Sequence, residues 1–289
     1  GHGAWEAAFV NLFEAGDTIL MPETGRFSLT WGEMANSFGL KIETIPNDWR
    51  TAIDIDALED ILRRDTDHHI KAVLAVHTET ATGVTSDVRA MRTAINAAGH
   101  PALLVIDAIA SFMTTPLPMD EWGIDVVIAA CQKGLMMPPG LSFTAAGPKA
   151  LAATRRVGTL RDYWSWDARL GMEQYRRFCG TAPEHLIFGL RESIAMLNEW
   201  GLDAVFARHA RLAAAVHACV EAWGSASACF EASDCSKRDS TLLSICLRSL
   251  IRSRFSCLST VLSRRRALSS EVMALTFAVS VLMVSAGVS

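Results

Sequence analysis

Two residues of this sequence stand where chemistry would need them. Asp107 lies in the apolar run "ALLVIDA" at 102–108, and Lys133 follows "IDVVIAAC" at 124–131. Lys133 is the only charged residue in "ACQKGLMMPPGLSF", where an apolar run breaks into a Pro-Pro-Gly turn. A charged amine in apolar surroundings is costly, so this setting is expected to lower the lysine pKa and favour the neutral, nucleophilic form. A neutral lysine amine condenses with an aldehyde to a Schiff base. A carboxylate beside a pyridine nitrogen keeps that nitrogen protonated, so the ring can take electrons from a substrate carbanion. Together the two residues form a productive pair for pyridoxal phosphate. Each alone reads more readily as a solvated loop lysine or a helix-capping aspartate. Their joint placement at two strand ends brings the cofactor reading level with those alternatives. A third strand end adds His77, Glu79 and Thr80 in "VHTETATG".

The elements that must position them follow from the hydrophobic pattern. Strand-length apolar runs at 17–23, 40–46, 70–77, 102–108, 124–131 and 141–147 alternate with amphipathic segments at 28–39, 54–64 and 86–99. Ser86 is the expected cap of the last of these helices. Such alternation predicts an α/β fold, a largely parallel sheet between helices, with ligands at the carboxyl ends of its strands. Beyond residue 185 the pattern turns helical, at 184–201 and 202–224. No G-x-G-x-x-G follows any of these strands, which disfavours a dinucleotide enzyme.

A chain of 289 residues suits one large domain with a smaller second one. A net charge of −4 points away from nucleic acid. Seven cysteines in no metal-type spacing read as free thiols in a reducing compartment, hence a cytoplasmic protein without a bound metal. The charge divides into about −8 before residue 225 and +4 after it. Residues 225–270 are rich in Ser, Cys and Arg and contain neither Gly nor Pro, although a compact α/β domain needs turn formers. The final uncharged 18 residues, 272–289, are marginally long enough for a membrane span, but their serines and the abrupt change of composition argue against one. The expected organisation is a cofactor-binding large domain over 1–200, a linking helix over 201–224, and an atypical tail over 225–289 whose composition suits a frameshift.

The stretches "GHGAWEAAFVNLFEAGD", "VHTETATGV", "LLVIDAIASF", "MDEWGIDVVIAACQKGLMMPPGLSF" and "GTAPEHLIFGLRESI" resemble class V aminotransferases. Among these, the serine–glyoxylate and alanine–glyoxylate group is the nearest. The resemblance runs from residue 1 to about 224. Its most specific part is Asp107, then Lys133 in Gln-Lys-Gly 26 residues later, then Pro-Pro-Gly. It implies the fold type I large domain of pyridoxal-phosphate enzymes. It implies that Lys133 is the Schiff-base lysine and Asp107 the partner of the pyridine nitrogen. Gln132, Gly1 and His2 would meet the cofactor phosphate, the last two at a helix start. Phe27 would stack on the ring, Ile109 would pack on its other face, and Thr80 would bond the 3′-oxygen. Thr181 matches a residue that reaches the phosphate in the neighbouring subunit, so a homodimer with shared sites is implied. Phe27 as core, Thr80 as a turn former and Thr181 as a helix cap are the plain alternatives. Tyr163, Trp164 and Trp166 are read first as packing and second as lining a substrate mouth.

The implied reaction moves an amino group from serine, alanine or aspartate to a small 2-oxo acid, most naturally glyoxylate. Desulfuration of cysteine is the weaker rival, since Gln132 rather than His precedes Lys133 and no tail Cys has a fitting context. The sequence also departs from the family. It opens inside the phosphate loop, so it reads as truncated at its N-terminus. None of Arg248, Arg252, Arg254 and Arg264–Arg266 stands in the Arg-Ile-Gly-like context that would grip a substrate α-carboxylate. A cofactor-binding chain with weak or no turnover is therefore the second reading.

Overall fold

The structure, a computed structural model, describes residues 1–170 and 177–222. The tail over 225–289, its candidate membrane span and its arginines lie outside the described residues. Six strands form one sheet: β1 (Thr18–Pro22), β2 (Lys41–Ile45), β3 (Ile70–Val76), β4 (Leu103–Asp107), β5 (Val126–Ala130) and β6 (Ser142–Ala146). Their order is β2-β1-β3-β4-β5-β6. Neighbours are parallel except β5 and β6, which pair antiparallel. All six expected runs became strands, and the sheet is mostly parallel.

The helices divide between the two faces. α1 (His2–Leu12), α2 (Arg26–Ser37) and α5 (Pro148–Thr154) contribute to one core with Ile19, Met21, Leu74, Val76, Val105 and Ile128. α3 (Ile55–Arg64) and α4 (Val88–Ala97) contribute to the other with Leu20, Val73, Ala75, Leu104, Ile106 and Val127. Successive strand residues alternate between the two cores, as the period of two requires. That parity matters for the site. Asp107 shares the phase of Leu103 and Val105, so it belongs to the α1 face. His77, in phase with Val73 and Ala75, belongs to the opposite one. On the α1 face the buried rings of Trp5 and Trp31 stack at 5.4 Å between centroids. Each ring removes roughly 150–250 Å² from water, worth about 4–6 kcal/mol at roughly 25 cal/mol per Å². This anchors α1 beside the carboxyl ends of the strands.

Asp54 caps α3 by accepting from the Ala57 N–H at 2.9 Å. On α4 the cap is Asp87, accepting from the Ala90 N–H at 2.9 Å, and not Ser86. Ser86 is buried one residue too early, with no partner for its hydroxyl. A carboxylate also suits the positive helix end better than a hydroxyl. After the short α6 (Trp166–Arg169), α7 (Glu184–Trp200) and α8 (Leu202–Ala222) are separated by Gly201, whose φ of 77° ends the first helix. Among the described residues, no helix is long and apolar enough to cross a membrane.

Candidate active site

The carboxyl ends of β3, β4 and β5 open onto one cavity of about 230 Å³. Eight of the nine expected cofactor residues line it: Gly1, His2, Phe27, Thr80, Asp107, Ile109, Gln132 and Lys133. The ninth, Thr181, is exposed ahead of α7 and does not reach this cavity. It does not cap α7 either, whose N-cap is Pro183. Tyr163, Trp164 and Trp166 also lie outside the cavity lining. Trp166 packs against the α1-side core, and Trp164 lies against Gly3.

Asp107 is the last residue of β4 and only 3 % exposed. Its Oδ1 accepts from the backbone N–H of Ile109 at 2.7 Å and its Oδ2 from the indole N–H of Trp5 at 3.0 Å. Burial raises its pKa from 3.8 to about 6; the Ile109 and Trp5 donors oppose that rise and the nearby Glu79 carboxylate adds to it. Each carboxylate oxygen accepts one bond and has capacity for another. His77 is buried on the other face, its Nδ1 2.8 Å from the Ser111 hydroxyl. Burial pulls its pKa down to about 4, so it is neutral over the ordinary pH range and supports the sheet rather than the cavity.

Lys133 sits in the loop after β5. The sequence pattern placed it in an apolar, water-poor setting that would depress its pKa. In the structure its side chain is exposed, so the burial behind that expectation is absent. The loop itself is tightly held. Cys131 is buried; its thiol donates to the Pro138 carbonyl and its sulfur accepts from the Leu141 N–H. Met136 N–H donates to the Lys133 carbonyl at 2.9 Å, and the buried Ser193 hydroxyl of α7 donates to the Leu135 carbonyl at 2.5 Å. Gly134 is required by close approach. A Cβ there would collide with the carbonyl oxygen of Phe112.

Glu79 is fully buried and organises a second wall of the cavity. Its Oε2 accepts from the N–H groups of Phe27 at 3.0 Å and Ser28 at 3.2 Å, and its Oε1 from Ala81 at 3.1 Å. One carboxylate thus fastens the start of α2, which carries Phe27, to the loop that carries Thr80. Gly25 permits this, since a Cβ there would overlap the Glu79 side chain. Helix α2 begins at Arg26, two residues before the apolar pattern placed it; the Ser28 hydroxyl accepts from the Gly25 N–H, and the remote Glu79 takes the Phe27 and Ser28 N–H groups. Glu79 and Trp5 are the two functional residues whose roles sequence reasoning missed. The parity of β4 relative to α1 pointed to Trp5, but only once the sheet order was known.

The residues fit pyridoxal phosphate. Among the described residues, the Lys133 amine, the Gln132 amide and the Thr80 hydroxyl line the cavity with no side-chain hydrogen-bond partner in the protein. The first turn of α1 offers N–H groups that helix geometry leaves unpaired. The Phe27 ring and the Ile109 side chain supply apolar walls, and Asp107 supplies an anion below. An aromatic ring with an aldehyde, a ring nitrogen and a phosphate matches this donor set group for group.

The sheet, the cavity and the chain's own comparisons define a class. Residues 2–260 match the model of the aminotransferase class-V family, and the chain belongs to that family. It is 43% identical over 226 residues to a serine–glyoxylate aminotransferase of Hyphomicrobium methylovorum, covering 78% of this chain and 56% of that protein. It is 41% identical over 226 residues to an L-aspartate–glyoxylate aminotransferase of Paracoccus denitrificans, covering 78% and 57%. The crystal structure of an alanine–glyoxylate aminotransferase from Nostoc sp. superposes with a TM-score of 0.69 at 27% identity, covering 76% of this chain and 58% of that one. The fold is therefore that of the fold type I large domain. The chain spans somewhat more than half the length of the relatives it matches.

Proposed function

We propose that this protein is a pyridoxal-phosphate aminotransferase that passes the amino group of serine, alanine or aspartate to glyoxylate, yielding glycine and the corresponding 2-oxo acid. The observation that carries the reading is the single cavity shared by Lys133, Asp107, Gln132, Thr80, Phe27, Ile109, Gly1 and His2. When bound, the cofactor supplies an aldehyde for an amine and a ring that accepts electrons from the substrate Cα. Lys133 Nζ would hold it covalently and, once displaced by substrate, move the proton at Cα. Asp107 would accept from the ring N–H and favour the protonated nitrogen. Phe27 and Ile109 would bracket the ring and exclude water from its faces. Thr80 would donate to the ring oxygen, while Gln132, Gly1, His2 and the start of α1 would hold the phosphate. Thr181, exposed and outside this cavity, suits contact with the phosphate site of a second copy in a homodimer.

No described cysteine lines the cavity, which favours transamination over desulfuration. A second reading, cofactor capture with weak turnover, rests on a specific observation: among the described residues no arginine lines the cavity. A planar guanidinium is the usual grip on an α-carboxylate. The test is addition of pyridoxal phosphate to the purified chain, with the visible absorbance read before and after serine and glyoxylate. Capture by the wild type but not Lys133→Ala, followed by glycine formation, supports the first reading. Capture without glycine supports the second. No capture at all contradicts both.

A further inference from the structure

The indole N–H of Trp5 and the Oδ2 of Asp107 are joined by a buried 3.0 Å hydrogen bond between α1 and the end of β4, 102 residues apart in the chain. We propose that Trp5 is a positioning residue for the cavity carboxylate: its N–H fixes the rotation of the Asp107 side chain and favours the anion. The consequence for cofactor rests on the function proposed above; the interaction itself does not.

The geometry is specific. Trp5 is held from both sides, stacked on Trp31 at 5.4 Å and 19° and tilted against His2 at 4.7 Å. The ring therefore has little freedom to turn its donor elsewhere. Indole nitrogen is a donor only, so it cannot accept the O–H of a protonated carboxyl, and its bond is stronger to the ionised form. The Ile109 N–H holds Oδ1 at 2.7 Å. Two neutral donors, one on each oxygen, let the carboxylate carry its charge in a buried site while leaving a lone pair for a ring N–H. Other charged or titratable groups around Asp107 are Glu79 and, on the cavity wall, Lys133 and His2. His77 lies at the end of neighbouring β3 but on the opposite face. None of these side chains donates a hydrogen bond to the Asp107 carboxylate (the His77 backbone N–H donates to the Asp107 carbonyl at 2.9 Å), so the anion's direct support comes from Trp5 and Ile109.

The test uses the full 289-residue chain without cofactor. Nitrogen-15-labelled tryptophan NMR should show one indole N–H resonance that moves as Asp107 ionises and no longer moves in Asp107→Asn. In urea unfolding, Trp5→Phe should reduce stability at every pH through lost packing. Its cost should grow by about tenfold to a hundredfold in the unfolding constant between acid and pH 8, the worth of one bond to a charged group. That growth should vanish in the Asp107→Asn background. The sign follows because losing a donor penalises the ionised form more than the protonated one, whose oxygens accept more weakly. An indole spectrum without a titrating resonance overturns the proposal, and so does an equal Trp5→Phe cost at both pH values. If Trp5→Phe does not fold, the wild-type and Asp107→Asn spectra decide alone. Failure of wild-type chain to capture pyridoxal phosphate would sink the proposed function and leave these readouts untouched.

Discussion

Replacing Asp107 with Asn should change the pH dependence of stability in a way that can be worked from the structure. In the folded chain the Asp107 carboxyl holds its proton to about pH 6, against 3.8 as the reference value. Its pKa is raised, so the folded state binds the proton more tightly than the unfolded state. The stabilisation is present in full below pH 3.8 and is lost as the pH rises through about 6. The whole loss corresponds to about 3 kcal/mol at about 1.4 kcal/mol per pH unit, with about 2 kcal/mol of it between pH 4.5 and 8. Asparagine does not titrate. Its single carbonyl oxygen can serve Trp5 or Ile109 but not both, which costs about 1–3 kcal/mol at every pH. The variant should thus be less stable than wild type at pH 4.5 and gain on it by about 2 kcal/mol by pH 8. Paired urea titrations at the two pH values read this directly. A stability difference that moves by less than about 0.5 kcal/mol would refute the picture of a buried, reluctantly ionised carboxyl.

Further outcomes follow from the walls of the cavity. Gly134→Ala should destabilise by about 3 kcal/mol and abolish cofactor capture, since the added carbon meets the Phe112 backbone; near-wild-type urea unfolding would contradict the close approach. Glu79→Ala orphans the N–H groups of Phe27, Ser28 and Ala81 and should cost about 3 kcal/mol or more. Hydrogen exchange should accelerate at Phe27 and Ser28 in that variant, and unchanged protection there would count against Glu79 as the remote cap. With cofactor, serine and glyoxylate the 289-residue chain should form glycine in an amino-acid-coupled assay; cofactor capture without glycine would favour the weak-turnover reading, which rests on the lack of an arginine in the cavity lining among the described residues.

Much of this architecture was legible before any coordinates, and the reasons are physical. A parallel sheet buried on both faces writes its strands as continuous apolar runs, so "LLVID" and "VVIAA" declare themselves. The ends of those runs mark the ligand edge, which is why Asp107, Lys133 and Thr80 could be grouped from sequence. What was not legible depends on contacts between distant segments. The exposure of Lys133 is set by how its loop folds over Phe112, and composition within the loop suggested burial instead. Glu79 caps a helix that begins 53 residues before it in the chain, and local capping rules see only neighbours. At α4 the choice between Ser86 and Asp87 is a matter of one residue of helix phase. Trp5 looked like one more core aromatic, and only the pairing of α1 with β4 shows where its N–H goes. Thr181 lies exposed ahead of α7, outside the cavity, because the fold carries its segment away from the strand ends.

The most direct measurement is the site of covalent capture. The protein is incubated with pyridoxal phosphate, reduced with borohydride and digested, and the modified lysine is found by mass spectrometry. The account predicts one dominant adduct at Lys133, formed at low cofactor concentration and greatly diminished in Asp107→Asn. Adducts spread evenly over Lys41, Lys71, Lys133 and Lys149, indifferent to the residue at 107, would contradict it.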